Sequence, residues 1–169
     1  MQPADLPTLH VLGNAYLRLH DYTKATGVFA RMLAANPNSA EAHTMMGMAY
    51  DKMSRTDDAR AEYEAAARAD PNFPGVHSGL GLIYWKQSKY AEAASEFEAE
   101  LKHYPSDPVS HCLLGQILRR QGDQQAARDH FKAAVAANPN YQEALLGLGQ
   151  TELALNNSNA AIQPLERAV

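Results

Sequence analysis

Apolar and small residues recur along this chain at helical spacing, and the whole pattern repeats every 34 residues. Glycine returns at Gly13, Gly47, Gly81, Gly115 and Gly149, and alanine at Ala25, Ala59, Ala93, Ala127 and Ala161. A large apolar residue follows at Phe29, Tyr63, Phe97, Phe131 and Leu165, and proline closes units at Pro37, Pro71, Pro105 and Pro139. Within each unit, numbered so that this glycine is position 8, positions 4, 7, 8 and 11 share one stripe at about 100° per residue. That stripe predicts an amphipathic helix A. Positions 20, 24, 27 and 28 predict a second helix, B, with a matching stripe. Glycine at 8 and alanine at 20 lack bulk, so the two helices can approach closely; larger side chains there would cost roughly 1–3 kcal/mol of overpacking.

Boundary residues agree with this division. The closing prolines stand after helix B, where a helix does not easily continue. Pro74 and Pro108 are predicted first residues of helices A, where a missing N–H costs little, and Ser39 and Asp107 are predicted N-caps. Pro164 stands inside the last predicted helix B and predicts a kink or a late start there.

The columns resemble the tetratricopeptide repeat, whose signature runs W-x2-L-G-x2-Y, then A-x3-F, then P. The second unit reads His43, Met46, Gly47, Tyr50, Ala59, Tyr63, Pro71; the third reads His77, Leu80, Gly81, Tyr84, Ala93, Phe97, Pro105. The resemblance covers residues 1–169 as a single array of repeats 6–39, 40–73, 74–107, 108–141 and a truncated 142–169. It implies an all-α fold, a right-handed α-solenoid (superhelix) of antiparallel helix pairs. Pro3 stands 34 residues before Pro37, in register with the closing proline of an earlier repeat, and the chain stops inside its fifth repeat. Both features lead us to expect a segment of a longer array, because solenoids normally carry polar capping helices.

Composition narrows the chemistry. The chain has 169 residues, 30 of them alanine, with four Phe and one Trp, which suits helices packed through small side chains. Fifteen Lys and Arg against nineteen Asp and Glu argue against nucleic acid as a partner. The single Cys112 excludes an intrachain disulfide and any multi-cysteine metal site, and fits a cytosol and a periplasm equally. No stretch approaches 18 consecutive apolar residues, so insertion into a membrane as a helix is not expected.

Positions 2, 5, 6, 9, 12 and 13 of helix A lie opposite the buried stripe by the same angular count. In the family this face lines a concave groove that takes extended peptides or partner helices. The resemblance therefore assigns peptide or partner binding to Asn14, Arg18, Met45, Met48, Lys52, Leu82, Trp85, Lys86, Gln116, Arg119 and Arg120. Leu17, Thr44, Asp51, Ser78, Cys112, Leu113, Leu146, Gln150 and Leu153 fall on the same face. Arg18, Lys52, Lys86 and Arg120 form a cationic column at position 13. It suits acidic side chains or a C-terminal carboxylate, or it merely solvates helix ends and complements their dipoles. Trp85 with Met45, Met48 and Leu82 suits an apolar anchor, unless the indole folds into the neighbouring helix.

Two family specialisations are tested by residue. The carboxylate clamp for chaperone tails needs a set of Lys, Asn and Arg of which Asn14 matches but His10, Met45, Gly75 and Gly79 do not. The asparagine ladder of O-GlcNAc transferase needs Asn at position 6, where this chain has Val11, Met45, Gly79, Leu113 and Gly147. His43, His77 and His111 occupy one repeat position, so they sit a repeat apart, far beyond the ~2.1 Å reach of one zinc. We read them as inter-helix packing, and expect no metal and no cofactor. Glu100 occupies a normally small, apolar position, and either pairs with His77 or His111 or reaches solvent. His111 and Cys112 are adjacent on one helix and point about 100° apart, so they form no nucleophilic pair.

The reading is a non-enzymatic protein–protein interaction or scaffold module. The alternative is a structural spacer of a larger protein, or a self-association element acting through uncapped terminal helices.

Overall fold

The computed structural model describes residues 5–169, so Pro3 lies outside the described residues. Among them are ten helices and no strand. They fall into two compact units, divided after Gln87. The first holds α1 (Leu6–Arg18), α2 (Tyr22–Ala35), α3 (Ala40–Lys52), α4 (Thr56–Ala69) and α5 (Val76–Lys86). The second holds α6 (Tyr90–His103), α7 (Pro108–Gln121), α8 (Gln124–Ala137), α9 (Gln142–Ala154) and α10 (Ser158–Arg167). Odd-numbered helices are the predicted A helices and even-numbered ones the B helices.

A short backbone device ends each A helix. Position 15 is left-handed in every repeat: φ is 58° at His20, 59° at Ser54, 60° at Ser88, 91° at Gly122 and 61° at Asn156. The next N–H then reaches back to the position-11 carbonyl, as Asp21 does to Tyr16 (2.9 Å), Arg55 to Tyr50 (2.9 Å) and Asn157 to Glu152 (2.8 Å). This is a Schellman closure, which satisfies helix-end carbonyls and reverses the chain within a few residues. Asp21 and Asp123 follow at once as N-caps, accepting from the N–H of Lys24 and Ala126.

The expected starts hold at α3 and α7. Ser39 accepts from Ala42 N–H, Asp107 accepts from Ser110 N–H, and Pro108 opens α7. Pro74 does not open a helix. Phe73–Val76 forms a type II turn, with Gly75 at φ 82°, ψ −2° and the Val76 N–H donating to the Phe73 carbonyl at 3.3 Å. A Pro-Gly pair favours that turn over a helix start, so α5 begins two residues later than the pattern predicts. Pro164 likewise causes no late start. α10 opens at the same repeat position as α2, α4, α6 and α8 and runs through Pro164 to Arg167. Pro164 is buried, as is Ala161, and burial of its ring opposes the cost of the lost N–H bond.

Within each unit, position-24 side chains hold helices together. Phe29, Tyr63 and Phe131 are buried against A-helix glycines. Tyr63 is held between Gly47 and Gly79, and Phe131 between Gly115 and Gly147. A Cβ at Gly47 would stand 3.1 Å from the Tyr63 ring and one at Gly79 would overlap it. Burial pushes the Tyr63 hydroxyl pKa far up, with Asp51 adding to the shift, so this ring stays neutral.

Four stability outcomes follow from these contacts and from the left-handed positions. Gly79→Ala should lose about 1–3 kcal/mol by overpacking against Tyr63, whereas Gly27→Ala, with open space around it in α2, should gain about 0.5–1 kcal/mol. Urea unfolding of the two variants measures both; a Gly79→Ala protein as stable as wild type would contradict the packing. Gly122→Ala has equal room but a left-handed backbone, and should lose about 1–2 kcal/mol, while Ser54→Gly should raise the melting temperature.

Candidate functional site

Within each unit the A helices lie side by side and are joined by polar contacts between equivalent faces. In the first unit the Asn14 amide donates to His10 Nε2 at 2.9 Å, and His10 Nδ1 donates to Glu41 Oε1 at 2.9 Å. Asp51 of α3 pairs with Lys86 of α5. In the second unit Arg119 of α7 donates to the Gln150 amide oxygen of α9. These links make α1, α3 and α5 one surface, and α7 and α9 another.

The surface is narrower than the angular count predicts. Thr44, Ser78 and Cys112 at position 5 are buried, and so are Gly79, Leu113 and Gly147 at position 6. An interior A helix packs against its own B helix, the preceding B helix and a neighbouring A helix, so one buried stripe underestimates its contacts. Cys112 and Leu113 are therefore core residues, not groove residues. Cys112 accepts from the Gln116 amide at 3.6 Å, and burial pushes its thiol pKa up, which leaves it a poor nucleophile.

Positions 9, 12 and 13 form the line that carries most of the remaining predicted binding residues, which differ in exposure along it, while Leu146 at position 5 of α9 also stands open. Met48 is 46% exposed. Leu82 and Trp85 are half-buried, and Met45 packs against the core formed by α1, α2 and α3. Arg18 and Lys52 are exposed, whereas Lys86 is committed to Asp51. In the second unit the Arg120 guanidinium lies 4.9 Å from the centre of the Tyr90 ring, Arg119 is held by Gln150, and Gln116 by Cys112. Position 13 is thus a column of cations in different states, with two of the four held by an anion or an aromatic ring. Leu146 and Leu153 of α9 stand open on the same face of the second unit.

Two of the repeated histidines, His43 and His111, pack between helices as expected and add a polar joint. His43 Nε2 bonds the Pro37 carbonyl at 3.0 Å while Nδ1 meets Glu62 at 2.7 Å. His111 Nε2 donates to the Pro105 carbonyl at 2.9 Å, leaving Nδ1 as acceptor for His130 Nδ1–H at 3.0 Å. Among the described residues no group of three His, Cys, Asp or Glu is placed to hold a metal ion. Glu100 is buried, which overturns the solvent-exposed reading, and both ring nitrogens of His111 are engaged elsewhere. One buried acid went unread: Glu152 takes the tyrosine place at position 11, accepting from Asn157 at 2.9 Å with Lys132 at 3.6 Å. Its signal in the sequence was an acid at the place that Tyr50 and Tyr84 hold in the second and third units.

His130 carries a pH dependence. Burial lowers its pKa first and the nearby His111 lowers it further, against opposing contributions from Asp129 and Glu98. The unfolded chain therefore binds that proton more readily than the folded one. Stability from this site is full above the ordinary histidine value of about 6.5 and declines as pH falls below it. Replacing His130 by Gln keeps an amide donor for His111 and removes the titration. Melting temperatures between about pH 7.5 and 5.5 should fall more for wild type than for His130→Gln; parallel curves would contradict the assignment.

Comparison with known proteins matches this architecture. Two tetratricopeptide repeat models match, one over residues 6–49 and one over residues 44–108 and 112–169. No curated protein matches the sequence. Among solved structures, Pseudomonas aeruginosa PilF is similar at TM-score 0.85 and 20% identity, covering 96% of this chain and 74% of that one. A crystal structure of MamA is similar at 0.72 and 16%, covering 92% and 91%. A chain of the APC/C hetero-tetramer Cut9–Hcn1 is similar at 0.84 and 21%, covering 99% of this chain and 33% of that one. At such identities these likenesses speak for the fold alone. The extent of the model matches, together with the helix pairing, places this chain in the tetratricopeptide repeat family.

Proposed function

We propose that this chain is a non-enzymatic interaction module that binds an extended peptide or a partner helix along its A-helix face. The family's fold supports a protein–protein interaction module in general. The observation that carries the finer reading is Met48. Nearly half exposed in the middle of α3, it stands on the open line of the first unit, between the exposed cations of α1 and α3 and the half-buried Leu82 and Trp85 of α5. A flexible thioether in that setting suits a variable apolar anchor, and Arg18 and Lys52 suit acidic groups beside it. Lys86, neutralised by Asp51, contributes less to such a ligand.

Panning a random peptide display library against the purified chain tests this reading. Selected peptides should combine an apolar anchor with neighbouring Asp or Glu. Met48→Glu should weaken them about tenfold, equivalent to about 1.4 kcal/mol. Lys52→Ala should weaken them more than Lys86→Ala. Selected peptides indifferent to both Met48→Glu and Lys52→Ala would rule out this face.

A further inference from the structure

The fourth repeat shows how one corner of a repeat is closed. Its last residue, Tyr141 at position 34, precedes α9 and packs against the core that contains Cys112, Ala134 and Ala144. The Tyr141 hydroxyl donates to the Cys112 sulfur, with Glu143 close by, and Cys112 is fully buried. Burial pushes the hydroxyl pKa up, and Cys112 and Glu143 add to the shift, so the ring stays a neutral donor.

The same corner of the first repeat stands open. Position 34 is Ser39, and its short side chain is used as an N-cap, accepting from the Ala42 N–H at 3.2 Å. Position 5 is His10 in place of Cys112, and its side chain is 36% exposed. Between them lies a pocket of ≈ 320 Å³, with Leu6 and Met32 as apolar walls and His10, Asn36, Ser39 and Glu41 as polar ones. Asn36 and Glu41 are the counterparts of Asn138 and Glu143. Two polar groups are thus common to both corners, and the ring between them is what differs. Every wall belongs to α1, α2, α3 or the segment joining α2 to α3, all within the first unit.

The polar end suits a hydroxyl. His10 Nδ1 donates to Glu41 Oε1 at 2.9 Å and His10 Nε2 accepts from the Asn14 amide at 2.9 Å, so the imidazole is held in place. A carboxylate accepts from more than one donor, so Glu41 can take an O–H beside His10. We infer that this pocket takes a tyrosine side chain from a partner polypeptide. The ring enters between Leu6 and Met32, as Tyr141 enters the fourth repeat, and the hydroxyl donates to Glu41. Glu41 and Met48 are seven residues apart, about 10 Å along α3, so the inference stands apart from the function proposed above.

The test titrates N-acetyl-tyrosinamide into the 169-residue chain while backbone amide resonances are followed by NMR. The amides of His10, Asn36, Ser39 and Glu41 should shift together, with a dissociation constant of about 1 mM. N-acetyl-phenylalaninamide should bind about three- to tenfold more weakly, because it lacks the donor. Ser39→Tyr supplies from the chain itself the ring found in the fourth repeat. It should keep its helical circular dichroism and weaken the probe at least about tenfold. Glu41→Ala, at a partly exposed position, should bring the two amides to equal affinity. Met48→Glu should change neither. No shift at those four amides with about 20 mM probe, well above the expected constant, would overturn the inference. So would Ser39→Tyr binding the probe like the wild type, a wild type that takes both amides equally, or a tyrosine preference that survives in Glu41→Ala. A probe lost with Met48→Glu would belong to the A-helix line and would equally overturn it.

Discussion

The structure depends on an aromatic ring lying where an A helix has no Cβ. Tyr63 and Phe131 each occupy a slot made by two glycines, one from the helix before and one from the helix after. Dispersion and burial both favour close approach, and both are lost quickly when a gap opens or an atom intrudes. One contact type thus sets the helix spacing within a repeat and also ties that repeat to the next. Stability then accumulates from neighbour to neighbour rather than from one central core.

That mode of packing explains why the open face is narrow. A helices are covered on several sides, so Thr44, Ser78 and Cys112 at position 5 and Gly79, Leu113 and Gly147 at position 6 are lost to the core, whereas Leu146 of α9 stays open. What else remains exposed is a line of positions 9, 12 and 13, interrupted by links between neighbouring A helices. The His10–Glu41, Lys86–Asp51 and Arg119–Gln150 contacts hold helices in register while using polar groups that would otherwise face a ligand. Charge count alone therefore overstates the cationic character of this surface.

Several polar residues serve the joints between helices. The position-4 histidines bridge a loop carbonyl and a B-helix side chain, which satisfies groups that burial would otherwise leave costly. In the first repeat the same place holds Leu9 beside Val28 in an apolar core, so an apolar pair does the same spatial work. The His111–His130 pair differs from His43–Glu62 because two bases replace a base and an acid, and burial disfavours the proton there.

Much of the fold was readable from the sequence, because each repeat records its own contacts at a fixed period. The small residues at positions 8 and 20, the N-caps at Ser39 and Asp107 and the helix pairing all follow from local rules applied repeatedly. Where local rules competed, the sequence was a poorer guide: Pro74 suited a helix start but joined Gly75 in a type II turn, and Pro164 suited a kink or a late start but α10 begins in register and runs through it. The candidate face was legible only as a list of positions. Whether Met48 stands open, Met45 joins the core or Lys86 meets Asp51 depends on the neighbouring helix, which no single helix's periodicity contains. The sequence by itself thus determined repeat, helix and pairing, since these are set by spacing along the chain. Tertiary structure decided exposure and partnership, since these are set by side chains separated by about a repeat in sequence and brought within a few ångströms by packing.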